Sequence, residues 1–480
     1  MNAATKAIAA QGLARRALSL GAVKAFDHAL QFLLPVLLVR CLDAHTFGEY
    51  RLLWLAVGTV MALAPFTMPG ALYYFLPRSD AETRRLYVHQ TIGFLVVTGL
   101  AAAFIVSPLN PWLPATVEPL MKYGALVPAF IALWVVAYLL DFLPTIEERI
   151  PLQAFANISV ALTRAVLVAG AAWFTGDMAL ILWLLLATVV LKIALLFAYI
   201  GRFHGWRQPW FRRELFAGQI RYTAPFGFSS AFYVLRSQAD QWVAAALFTL
   251  HSFAAFSIAA ILLQLVNIFR TSVLEAFMPS MSRMEAAGDV RAMMQMNARA
   301  NAMVGMLLFP LLGFAFVFAE ELVTLVYTAS YVEAAPVIRV YILAMLPLVI
   351  EYNSVMAFTR QGMFVLRTNM VMLAIAVSLS WAGGTHLGLA GAALGSAASL
   401  YIDRTIFLRR IATVTGVPVR EQQHWGALLR YLAWAGLATL AAWLVGDKLF
   451  ASSHVVVQLA MAGIVLAVVY GAANWRQMRP

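Results

Sequence analysis

Fourteen apolar runs follow one another along the chain, each near the 20 or so residues a helix needs to cross roughly 30 Å of hydrocarbon. They fall at 18–39, 52–76, 88–107, 121–141, 154–174, 178–200, 222–248, 253–278, 300–318, 337–358, 366–386, 388–408, 427–446 and 455–474. Apolar residues make up 62% of the sequence and charged residues 12%, whereas soluble domains carry about 25% charged residues. No soluble core could absorb that much apolar surface. In lipid every backbone polar group must be satisfied internally, and runs this long do so as helices. The expected fold is an all-α polytopic membrane protein. The longest connections, near 201–221, 280–299, 319–336 and 409–426, are too short to form domains of their own.

The net charge of +12 raises the question of nucleic acid, and the distribution answers it. Basic residues sit singly or in small clusters between apolar runs, which is a topology signal and not a phosphate-tracking stripe. With the N-terminus inside, the cytoplasmic segments collect most Lys and Arg, including Arg84 and Arg85, Arg212 and Arg213, and Arg409 and Arg410. The opposite side holds Arg40, Arg51, Lys122, Arg339 and Lys448. Both termini are therefore expected in the cytoplasm of a multi-pass membrane protein. The stretch after Lys6, Arg15 and Arg16 carries Lys24, Asp27 and His28 within its apolar part, so it reads as a retained first span rather than a signal peptide. The single cysteine, Cys41, excludes an intramolecular disulfide and a thiolate metal cluster.

Catalytic signatures are absent from the sequence. None of the five lysines precedes Ser or Thr, so there is no phosphate loop, and HExxH, GxSxG and Asp-x-Asp are missing too. No catalytic residues, metal site or cofactor are expected.

What remains is polarity inside the spans, which is expensive and marks function by default. Lys24, Asp27, His28 and Gln31 recur at helical spacing and form one polar face of the first span. Ser229, Tyr233, Arg236 and Asp240 share a face of the seventh, with Arg236 and Asp240 spaced to pair at i, i+4. Gln264, Asn267 and Thr271 line the eighth beside Arg270. Arg164 and Asn157 share a face of the fifth span, Lys192 lies in the sixth, and Glu351 in the tenth has no local counter-ion. Arg164, Lys192 and Arg270 can alternatively snorkel to the inner headgroups. The balance leans basic, and a cavity so lined favours an anionic substrate. Substrate-contact candidates are Lys24, His28, Gln31, Arg164, Tyr233, Arg236, Gln264, Asn267 and Arg270; coupling-ion candidates are Asp27, Asp240 and Glu351.

Other features organise the helices. Gly384, Gly388, Gly391 and Gly395 give small-residue ridges for close packing. Pro35, Pro65, Pro69 and Pro347 are expected kinks. The 280–299 segment, polar and Met-rich, reads as an interfacial helix, and 319–336 as an acidic outer loop. Phe47 and Tyr50 in LLVRCLDAHTFGEYRLLWLAV match Phe253 and Phe256 in AALFTLHSFAAFSIAAILLQL, each pair entering an outside-to-inside span. The repeat is parallel and typical of transporters.

These segments carry a family likeness. LLPVLLVRCLDAHTFGEYRLLW, RSQADQWVAAALFTLHSFAAFSIA, FMPSMSRMEAAGD and GLAGAALGSA resemble the multidrug/oligosaccharidyl-lipid/polysaccharide (MOP) exporter superfamily, in its polysaccharide transporter and Wzx-type O-antigen flippase branch. The likeness covers most of residues 15–415. It implies two six-helix lobes in pseudo-two-fold parallel repeat: 1–200 with spans 1–6, a linker at 201–221, and 222–411 with spans 7–12. Residues 412–480 add two spans. It also implies that the chain is a flippase and not an enzyme. The substrate would be an undecaprenyl-diphosphate-linked oligosaccharide for lipopolysaccharide or exopolysaccharide, moved from the inner to the outer leaflet. A polysaccharide polymerase and export machinery would be partners, besides the bilayer, with no nucleic acid. The competing readings are a lipid II flippase or a cation-coupled multidrug exporter of the same superfamily. A membrane glycosyltransferase or polymerase is the rival outside transport.

Overall fold

A computed structural model describes residues 29, 30, 32–207, 209–450 and 454–478, the side chains of 262–265, 268, 275 and 476–478 excepted. All regular structure among the described residues is helical, and nine of the helices are long and apolar enough to cross a membrane. In chain order the helices are α1 (Phe32–Cys41), α2 (Ala44–Leu63), α3 (Met68–Phe75), α4 (Ala81–Ile105), α5 (Leu126–Ala137), α6 (Leu143–Ile146), α7 (Ile150–Phe174), α8 (Met178–Phe203) and α9 (Arg213–Ser237). They continue as α10 (Ala239–Leu247), α11 (Leu250–Ala286), α12 (Val290–Val317), α13 (Ala319–Val326), α14 (Ala334–Met345), α15 (Asn353–Phe358), α16 (Gly362–Thr415), α17 (Trp425–Leu449) and α18 (Val455–Met478). Val97, Leu100 and Phe104 on α4, and Trp173 and Phe174 on α7, point outward and stay exposed. Water would penalise such faces and lipid does not. The chain is a multi-pass membrane protein.

Two compact units divide at Leu235 and Arg236, two residues before α9 ends. In the first unit, Leu72, Val88, Leu95, Val135, Leu139, Leu143 and Leu196 form the core. Gly99 lets α4 approach α5, since a Cβ there would lie 2.8 Å from the Ala132 carbonyl. In the second, Met281, Met293, Met294, Val355 and Phe407 pack together. Each unit contains the same local device. Asp43 caps α2 through the amides of His45 and Thr46, and Thr249 caps α11 through that of Ser252. Four and seven residues after each cap come the buried aromatics Phe47 and Tyr50, then Phe253 and Phe256.

Several spans read as single helices are broken. The second bends after Pro65, where Phe66 and Thr67 both take positive φ (46° and 57°). The fourth passes through a 3-10 turn at Tyr138–Asp141, and the tenth breaks at Pro347–Val349. The seventh interrupts at Gln238. Pro35 lies within α1, and Pro69 starts α3, a position that leaves no hydrogen bond lost, so Pro69 does not kink a helix. The 280–299 segment is not an interfacial helix. α11 runs on to Ala286, Gly288 (φ 76°) turns the chain, and α12 begins at Val290. Its methionines are core residues, with Met281, Met293 and Met294 almost fully buried. The 319–336 segment is mostly helical, with Glu320 bridged to Arg339 at 3.0 Å.

α16 contains a hairpin. Gly388 takes φ 71°, a Cβ on Gly391 would strike the Gly383 carbonyl, and one on Gly395 would strike the Ser380 amide. Contacts whose residue numbers sum to a near-constant value mean antiparallel packing. The eleventh and twelfth spans therefore reverse at Gly388 and touch backbone to backbone, as the glycine ridges suggested.

Candidate functional site

The strongest constellation lies in the second unit, and it begins with a helix break. α9 ends at Ser237 and α10 starts at Ala239, so the i, i+4 geometry expected of Arg236 and Asp240 is lost. They do not pair. Arg236 Nη1 donates to Asp403 Oδ1 at 2.8 Å and to Asn369 Oδ1 at 3.0 Å, both on α16. Asp240 instead accepts from the Tyr341 hydroxyl at 2.8 Å and from the Gln241 amide at 2.8 Å.

Asp403 is shared. Its Oδ2 accepts from the Tyr352 hydroxyl at 3.0 Å and from Arg404 Nη1 at 3.2 Å. Arg404 Nε donates to the Pro347 carbonyl at 3.0 Å, and its guanidinium lies 4.4 Å from the Tyr352 ring centre. Tyr352 in turn stacks on Phe407 at 3.8 Å. Arg236, Asn369, Tyr352, Asp403 and Arg404 are all buried. Two guanidinium groups thus share one carboxylate in a water-poor setting, which leaves one positive charge in excess. Arginine's fixed fork suits the oxygens of a phosphate, and low local dielectric strengthens such a contact.

The other candidates have separate partners. Glu351 is buried and uses its carboxylate to cap α15 at the Ser354 amide (3.1 and 3.3 Å), so its partner is local backbone rather than a counter-ion. Asn267 accepts from Arg270 Nη2 at 3.2 Å on the same helix, and Arg270 is buried rather than snorkelling. Tyr233 is about half exposed. In the first unit, the Arg164 guanidinium lies 5.6 Å from both Trp54 and Trp134. Lys192 does not snorkel either. It is buried and bonds Asp141 at 2.7 Å in the 3-10 turn of the fourth span. Lys24, Asp27, His28 and Gln31, and the side chain of Gln264, lie outside the described residues.

Sequence reasoning missed Asp403 and Arg404, Asn369, Asp141 and the tyrosines 341 and 352. The Asp-Arg pair in SLYIDRTIF was visible as a charge pair within an apolar run. Asn369, Tyr341 and Tyr352 gave no signal, because their partners are remote in sequence.

Outside the spans, Glu147 stands out. Burial would raise its carboxyl pKa, but bonds from His204 and Tyr199 and the charges of His204 and Arg149 outweigh that and lower it. The His204 Nε2 contact is 3.1 Å.

A family model described as "Polysaccharide biosynthesis protein" matches residues 13–285, more than half of the chain. The chain belongs to the polysaccharide biosynthesis protein family. Solved structures share the fold of this family member. A lipid II flippase, MurJ, in an inward closed conformation is similar with a TM-score of 0.65 and 13% identity, over 96% of this chain and 99% of that one. An inward-facing multidrug resistance MATE transporter of the MOP superfamily matches with a TM-score of 0.65 and 13% identity, over 81% and 96%. A MATE protein in the straight conformation gives 0.54 and 14%, over 82% and 94%. No curated relative matches the sequence. The family and the shared fold bear out the resemblance to the MOP exporters.

Proposed function

We propose that this chain is a flippase that moves an undecaprenyl-diphosphate-linked oligosaccharide from the inner to the outer leaflet of the bacterial inner membrane. The observation that carries the reading is the charge excess at Arg236, Asp403 and Arg404. A substrate diphosphate supplies the anion that two arginines sharing one carboxylate lack, and competition with Asp403 keeps its binding reversible. Fourteen spans with both termini cytoplasmic, in lobes at 1–200 and 222–411, give alternating access its two bodies. Arg164, Arg270, Lys24, His28, Gln31, Tyr233, Gln264 and Asn267 are the further substrate-contact candidates. Asp27 and Asp240 are the coupling-ion candidates, since the Glu351 carboxylate already serves as a helix cap. A polysaccharide polymerase and export machinery would receive the product, destined for O-antigen or exopolysaccharide.

The experiment is depletion, with mass spectrometry of the lipid-linked glycan pool and enzymatic probing of leaflet exposure. Inner-leaflet accumulation of undecaprenyl-linked oligosaccharide with loss of surface polysaccharide is expected. An unchanged pool with normal surface glycan would overturn the reading and favour export of another solute. A second substrate, lipid II, is favoured by one observation: the fold matches the lipid II flippase over nearly the whole of both chains. Accumulation of lipid II in the same measurement would select it.

A further inference from the structure

The first unit carries another polar site, at the start of α4, that transport of the substrate does not use. Arg85 and His89 are at i, i+4 and share one face of the helix. His89 is only 8% exposed, and its Nε2 lies 3.0 Å from the Gly205 carbonyl. A carbonyl can only accept, so Nε2 carries the hydrogen and Nδ1 of the neutral ring is an acceptor. That Nδ1 is buried without a hydrogen-bond partner among the described residues, and so is Arg85 Nε, a donor.

The connector between α8 and α9 packs against His89. Trp206 lies parallel to the His89 ring (5.6 Å, 4°), with Phe197 edge-on at 5.7 Å. Gly201 leaves room for that indole, because a Cβ there would meet Trp206 Nε1 at 3.1 Å. Trp210 donates to the Trp206 carbonyl at 3.0 Å, and the Arg212 amide donates to Gln90 Oε1 at 2.8 Å. The connector's outer surface presents Trp206, Trp210 and Phe211, all exposed, among the exposed cations Arg202, Arg207 and Arg213. These three arginines have no ion pair among the described residues, while Arg212 has Glu82 at 3.6 Å.

A buried donor or acceptor left unmade costs about 1–3 kcal/mol. One water could bridge Arg85 and His89, yet it would do nothing for the uncompensated arginines or the exposed indoles. A ligand bearing both a phosphate and a hydroxyl answers all of these features. Its phosphate would accept from Arg85 and Arg207, its hydroxyl would donate to His89 Nδ1, and its acyl chains would lie along the aromatic edge. We propose that Arg85, His89, Trp206, Arg207, Trp210 and Phe211 form a binding site for an anionic phospholipid whose headgroup carries hydroxyls, of the phosphatidylglycerol kind. The Lys/Arg distribution assigns this end to the cytoplasmic leaflet, where positive connectors meet anionic lipid.

The full-length protein, purified in detergent, is titrated with phosphatidylglycerol, phosphatidylcholine or glycerol phosphate. Bound lipid is read by native mass spectrometry and stability by thermal unfolding. Phosphatidylglycerol should bind about tenfold more tightly than phosphatidylcholine. Arg207→Gln, at an exposed position that spares the fold, should cut that preference about fivefold, since each basic residue near an anionic surface contributes about 1 kcal/mol. Arg85→Gln combined with His89→Phe should abolish it. Equal binding of the two lipids, or an unchanged preference in both variants, would overturn the proposal. So would glycerol phosphate matching the lipid, which would make the ligand a soluble anion.

Discussion

Asp403 lets the charge excess be tested quantitatively. In Asp403→Asn the side chain keeps its size, but the negative charge is lost and one acceptor becomes a donor facing Tyr352 and Arg404. Arg236 and Arg404 then remain as two buried cations with no carboxylate between them. Removing one partner of a buried ion pair costs about 3–5 kcal/mol, because the survivor stays desolvated. Arg236→Gln is a different perturbation. Asp403 keeps Arg404 and Tyr352, the glutamine amide can still donate to it, and one uncompensated charge disappears, so about 1 kcal/mol is expected. At about 2–4 °C per kcal/mol for a unit of this size, thermal unfolding in detergent should fall by about 6–20 °C in Asp403→Asn and about 2–4 °C in Arg236→Gln. The double variant should be more stable than Asp403→Asn alone, since one of the stranded cations is gone. Transport should order them differently, with Arg236→Gln inactive although well folded. Equal destabilisation by the two single changes would refute the reasoning, for it would mean that Arg236 is simply half of a neutral pair.

Two further predictions follow from local geometry. Gly395→Ala should abolish folding of the α16 hairpin, because the new Cβ would lie 2.1 Å from the Ser380 amide nitrogen; Gly463→Ala, with nothing within 4 Å, should stabilise α18 by about 0.5–1 kcal/mol in the same unfolding assay. Because the Glu147 pKa is lowered on folding from its ordinary value of 4.5, its contribution is complete above that pH and vanishes as pH falls through the lower folded value. The thermal advantage of the parent over Glu147→Gln should accordingly be larger at neutral pH than in strong acid, and a gap that widened on acidification would contradict this.

The membrane fold was legible because its signal is local: an apolar run announces a span from composition alone, whatever it packs against. The glycine ridge at 384–395 was legible for the same reason, as was the aromatic pair after each cap. The charge partners were not. Periodicity assumes an unbroken helix, and the pairing of Arg236 with Asp240 failed at one residue, Gln238, where the chain leaves helical geometry. No strong breaker marks that position. The polar and Met-rich character of 280–299 misled in the opposite direction, because Met serves equally as core filler and as interfacial residue. Only tertiary packing, which buries Met281 and Met293 against Tyr352 and Phe407, decides between them.

The misread charges share a physical cause. A helix that breaks inside lipid strands backbone groups that water cannot reach, and each stranded group needs a side-chain partner. At the tenth span the break at Pro347 is met by Arg404 on the Pro347 carbonyl, Asn297 on the Glu351 carbonyl (3.1 Å), Asn301 on the Glu351 amide (3.2 Å), and the Glu351 carboxylate on the Ser354 amide. Those contacts account for Asn297, Asn301 and Glu351 without invoking a substrate. They account for only half of Arg404, whose Nη1 turns to Asp403, and for none of Arg236. Intramembrane polarity in this chain therefore divides into groups that mend the backbone and groups that do not. The second kind, Arg236 with Asp403 and Arg404, is where the proposed diphosphate would have something left to neutralise.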